Sequence, residues 1–131
     1  MPLRISLGPG ERLVVGGAVI RCAGAPAQIL IENKVPVLRE KDIIPPEGAD
    51  TLAKRLYFVI QLMYMDADNL ADHYAAYWPL AYEVERILPD AASLIAQINR
   101  KLFEQDFYKA LRLAKKLIQL EKQASERLAS R

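Results

Sequence analysis

Reactive side chains are scarce in this chain, which carries one cysteine, one histidine and one tryptophan among 131 residues. A nucleophile with its base, or a His/Cys metal set, needs several such groups close together. No catalytic residue, metal or cofactor is therefore expected. Cys22 has no second cysteine for a disulfide and no CxxC companion for zinc, which fits a reducing compartment and a packing role. His73, between Asp72 and Tyr74, lacks a partner base or nucleophile and reads as a helix-surface or core-edge residue. Asp66, Asp68 and Asp72 lack the spaced, glycine-containing loop that would hold calcium, so helix capping by Asp66 or Asp68 is the better reading. Gly8-Pro9-Gly10 and Gly16-Gly17 fit no phosphate-binding loop and read as hairpin turns. Long apolar runs are missing too: none approaches the ~20 residues that span a bilayer, and the start MPLRISLGPGE carries no secretory pattern. No membrane partner is expected, and the cytoplasm is the expected compartment.

What is present is the composition of a globular protein, 52% apolar and 26% charged. The net charge of +2 is unevenly spread. Residues 1–49 hold six Lys/Arg against five Asp/Glu, residues 50–99 three against seven, and residues 100–131 nine against four. An acidic middle and a basic end suggest self-complementary assembly or an anionic partner.

The hydrophobic pattern changes period once. Leu3, Ile5 and Leu7 alternate with polar residues, as in a half-buried strand. Arg12 to Val15 and Ala18 to Ala23 flank Gly16-Gly17, a hairpin signal because glycine accepts positive φ. Gln28 to Glu32 and Val35 to Leu38 complete a small antiparallel meander of four to five strands, with Pro36 restricted to an edge or bulge. Pro45-Pro46-Glu47-Gly48 ends the β pattern. Beyond it, Asp50 is the expected cap of a core helix carrying Leu52, Leu56, Ile60 and Met63, and a helical stretch over 67–88 is expected in two pieces at Pro79. Leu94, Ile95, Ile98 and Leu102 mark a further helix, and Asp106 caps a last one. The predicted class is α+β: a β subdomain over 1–44, then a bundle of four to five helices over 45–131, folding as one unit.

Two groups of side chains stand out as binding candidates. Tyr57, Tyr64, Tyr77 and Trp78 belong to an aromatic group whose helical spacing reads first as core, and whose exposed members would form a protein-binding surface. Lys109, Arg112 and Lys116 lie at i, i+3 and i+7 on the last helix, a candidate phosphate or partner contact that is also the usual solvated face of a C-terminal helix.

The order MPLRISLGPGERLVVGGAVI, VPVLREKDII, AKRLYFVIQLMYMD, then LFEQDFYKALRLAKKLI resembles the FlbT family of flagellar regulators. That resemblance implies a post-transcriptional regulator that associates with the 5′ untranslated region of flagellin messenger RNA and represses its translation or promotes its decay. It also implies a small partner protein, FlaF; the alternative reading is a protein-interaction adaptor whose helical half grips FlaF, flagellin or both, with any RNA effect indirect. A weaker similarity links LRISLGPGERLVVGGAV and VPVLREKDI to the carbon storage regulator CsrA, through Leu3, Gly10, Glu11, Leu13, Gly16, Val19, Arg39 and Glu40. CsrA-like chains place a basic pair where this chain has Leu7 and Gly8, and a histidine where it has Leu38. The similarity implies a homodimer and an RNA contact at Arg39; Arg4, Arg12 and Lys41 are the neighbouring cations that a looped RNA would meet.

Overall fold

A computed structural model describes residues 2–130. It is α+β, with five antiparallel strands followed by four α-helices, and it divides into two compact units, Met1–Ile43 and Ile44–Arg131. The strands are β1 (Leu3–Leu7), β2 (Arg12–Val15), β3 (Ala18–Arg21), β4 (Ala27–Ile31) and β5 (Val37–Arg39).

In the β unit, β1 pairs with β4, and β2 is flanked by β3 and β5. Gly8-Pro9-Gly10 is therefore a turn between two sheets rather than the hairpin turn expected from sequence. It is closed by the Glu11 N–H donating to the Gly8 carbonyl at 3.1 Å. Gly16-Gly17 does make a two-residue hairpin, with Val15 opposite Ala18. Only Gly16 takes positive φ, +58°, the pattern of a type II′ turn. Pro36 stands just outside edge strand β5, where its carbonyl accepts the Gly16 N–H at 2.8 Å. Alternation buries Ile5, Leu7 and Leu13 together with Cys22, which confirms a packing role for the cysteine.

The helices are α1 (Leu52–Met65), α2 (Leu70–Ile87), α3 (Ala92–Phe103) and α4 (Phe107–Ala129). Helix α1 buries Leu56, Tyr57, Ile60 and Met63 and packs against α2 and α4, while α3 packs against α4. The cap of α1 is Thr51, not Asp50: the Thr51 hydroxyl accepts the Lys54 N–H at 3.2 Å, and Asp50 pairs with the Lys54 ammonium at 3.4 Å. One residue's shift decides this, because the cap must be the last extended residue before the first turn. Asp106 caps α4 as expected, accepting the Lys109 N–H.

Pro79 does not divide α2, which runs unbroken for 18 residues. Pro79 and Ala75, whose carbonyl loses its donor, are both exposed, so water can satisfy the freed group. Asp66 stands at the C-cap of α1 and before the 3-10 turn Ala67–Asn69 without a side-chain cap bond; its carboxylate instead accepts from the Asn69 side-chain amide and lies 3.1 Å from His73 Nε2. No helix among the described residues is long and apolar enough to cross a membrane.

A long-range cap joins the two ends of the helical unit. Glu121 on α4 accepts the Ala53 N–H of α1 at 3.0 Å, placing a carboxylate at the positive end of that helix. Buried Gln61 acts similarly on Ile44: its Oε1 accepts the Ile44 N–H at 2.8 Å and its Nε2 donates to the Ile44 carbonyl at 3.0 Å.

Candidate nucleic-acid surface

The register of β2 and β3 sets Arg12 directly opposite Arg21. Cross-strand partners share a face, so two exposed guanidinium groups stand side by side, with Val14 and the exposed Val19 next along. Like charges in this position destabilise a bare sheet and favour an anion between them. Glu40 lies 3.9 Å from Arg12 and offsets part of that repulsion. The pair is exposed, so its energetic contribution is small. Arg21 makes no side-chain bond among the described residues.

Arg39 is placed differently. It lies opposite Leu13 and so faces away from Arg12. Its Nη1 donates to the Ser6 carbonyl at 3.2 Å and stands 3.7 Å from Glu11 Oε2. The other oxygen of Glu11 accepts the Gly8 N–H at 2.7 Å. Arg39 thus ties β5 to the end of β1 and to the turn that follows it. Arg4 is exposed on β1 opposite Leu30, and Lys41 is exposed in the 3-10 turn Glu40–Asp42. The four predicted RNA cations are spread over several faces, and the exposed cation that stands beside Arg12 is Arg21, which the sequence reading did not name. Its signal was available: a two-residue turn at 16–17 fixes the pairing out to Arg12 and Arg21.

In the helical unit, Arg112 and Lys116 are exposed on α4, while Lys109 pairs with the cap residue Asp106 at 3.6 Å. The four aromatic candidates separate. Tyr57 and Tyr77 are core residues and present no surface to a partner. The Tyr77 hydroxyl donates to Asn99 Oδ1 at 2.5 Å, and burial pushes its pKa upward. Tyr64 is half-buried with its ring 5.8 Å from that of Tyr108, and Trp78 is exposed. Among the described residues no group of three or more His, Cys, Asp and Glu could hold a metal.

Comparison with known proteins settles the family. The model of the family described as flagellar protein FlbT matches residues 3–124. The chain belongs to the FlbT family. It is 39% identical to the probable flagellum biosynthesis repressor protein FlbT 1 of Bradyrhizobium diazoefficiens, over 92% of this chain and 83% of that protein. It is 37% identical to the probable repressor of Caulobacter sp. K31, over 94% of this chain and 95% of the relative. Against the flagellum biosynthesis repressor protein FlbT of Caulobacter vibrioides ATCC 19089 the figures are 34%, 92% and 87%. No solved structure matches this FlbT-family chain.

Proposed function

We propose that this chain regulates flagellin synthesis after transcription, by binding the 5′ untranslated region of flagellin messenger RNA and repressing its translation or promoting its decay. The relatives' names, flagellum biosynthesis repressor, support a regulatory role. The observation that carries the RNA reading is the Arg12–Arg21 pair beside exposed Val19. Two forked donors can hold phosphates while the adjoining apolar surface meets unstacked bases. Arg4 and Lys41 are exposed elsewhere in the β unit, and Arg39 acts mainly by holding the strand end in place. A homodimer would present two such pairs to one leader.

Fluorescence anisotropy with a flagellin leader RNA tests this. Arg12→Ala and Arg21→Ala should each weaken binding by roughly fivefold or more, the scale of one lost guanidinium contact. Lys122→Ala, on α4 of the helical unit, should leave it unchanged. Absence of leader binding at moderate salt, or wild-type binding by both arginine variants, would overturn the reading.

A further inference from the structure

Among the described residues, strand β3 is the edge of its sheet, with β2 on one side and no strand on the other. Backbone polar groups alternate in direction along such a strand. The Cys22 N–H donates to the Glu11 carbonyl at 2.9 Å and the Cys22 carbonyl accepts the Gly10 N–H at 2.8 Å, so the polar groups of Cys22 turn toward the β2 side. Counting back by two, those of Ile20 and Ala18 turn the same way, toward their partners Leu13 and Val15. The N–H and C=O of Val19 and Arg21 therefore point outward from the free edge, and no backbone partner meets them among the described residues.

The same two residues carry the exposed side chains of the arginine surface. Arg21 stands opposite Arg12, and Val19, 68% exposed, stands opposite Val14. Two residues of antiparallel strand span about 6.8 Å. Over that length the edge offers the donors and acceptors of Val19 and Arg21, with the guanidinium groups of Arg12 and Arg21 on the adjoining face. Charge selects the occupant. A second β3 pairing antiparallel with this edge would bring its own Arg12 and Arg21 onto the same face, like charges that oppose the pairing. An anionic chain with free hydrogen-bonding edges meets no such repulsion. Bases in a duplex have spent those edges on each other, whereas unpaired bases keep them open to protein groups.

We infer that the free edge of β3 reads unpaired nucleotides: the N–H and C=O of Val19 and Arg21 bond the edges of unpaired bases, and the Arg12 and Arg21 guanidinium groups hold the phosphates beside them. The inference rests on the RNA reading and narrows it, from RNA in general to single-stranded segments recognised by main-chain groups. A main-chain contact carries no net charge, so it adds affinity without adding to the salt dependence.

Proline at position 19 removes the outward N–H without removing a ladder bond, and edge strands accept proline at such positions. Val19→Ala is its reference, since it shortens the side chain and keeps the N–H. The probe is a flagellin leader segment, used as a single strand and annealed to its complement. Val19→Pro should bind the single strand roughly fivefold more weakly than Val19→Ala, the scale of one lost hydrogen bond, with the same slope of log K against log salt concentration. Wild type should bind the annealed form roughly fivefold or more weakly than the single strand, and on that form Val19→Pro and Val19→Ala should be equal. Equal affinity of wild type for the two forms would overturn the proposal, whether or not Val19→Pro folds. So would equal binding of the single strand by Val19→Pro and Val19→Ala. Displacement of the RNA by an extended polyglutamate peptide, lost in Val19→Pro, would also overturn it, because the edge would then belong to a protein strand. Binding of neither RNA form, or wild-type binding by both Arg12→Ala and Arg21→Ala, would instead overturn the RNA reading and this inference with it.

Discussion

At the scale of single residues, a few polar groups hold positions that apolar packing cannot specify. Gln61 is the clearest, because both hydrogen bonds of its amide end on the backbone of Ile44. Gln61→Leu would keep the volume and leave a part-buried N–H and C=O without partners, so a loss of about 1–3 kcal/mol is expected in the urea midpoint. Asp66 makes a weaker, pH-dependent contribution. The Asn69 amide and then His73 hold its carboxyl below the ordinary aspartate range. A group whose folded pKa is depressed stabilises the fold above its unfolded value and loses that effect as pH falls through the folded one. The stability difference between wild type and Asp66→Ala should therefore be present near neutral pH and shrink as the carboxyl is protonated in acid. A difference that stays constant down to pH 2 would contradict this assignment.

At the scale of elements, termini and kinks are settled by backbone groups whose positions the hydrophobic pattern does not specify. Thr51→Ala should cost about 1 kcal/mol in thermal unfolding, whereas Asp50→Ala, which removes only an exposed i,i+4 pair, should cost roughly 0.3–0.5 kcal/mol or less. Equal effects would return the cap to Asp50. The change of period from two to 3.6 located five strands and the helical half correctly, since Ile5, Leu7 and Leu13 and then Leu56, Ile60 and Met63 all face a core. Sequence could not show that β1 pairs with β4, because alternation fixes which face is buried and not which strand lies alongside. Nor did it show that α2 would pass through Pro79, whose cost depends on whether the freed carbonyl meets water. The candidate surface was half readable: Arg12 was named from its strand, and Arg21 follows only when the hairpin register is counted out. Helical spacing marks Tyr57, Tyr64, Tyr77 and Trp78 as one aromatic group that reads first as core, and only the structure separates its buried members, Tyr57 and Tyr77, from exposed Trp78.

At the scale of the molecule, the exposed Arg12–Arg21 pair lies in the β unit, and the exposed aromatics Trp78, Tyr82 and Phe103 lie in the helical unit. Arg12 and Arg21 are exposed side by side on one face of β2 and β3. Contact between the arginine pair and RNA would be countable through counterion release. For single-stranded RNA each phosphate contact contributes about −0.7 to the slope of log K against log salt concentration. The direct measurement is that slope for a flagellin leader, compared between wild type and the Arg12→Ala, Arg21→Ala double variant. Loss of two phosphate contacts predicts a slope shallower by about 1.4; an unchanged slope and affinity would show that the RNA, if bound, lies elsewhere.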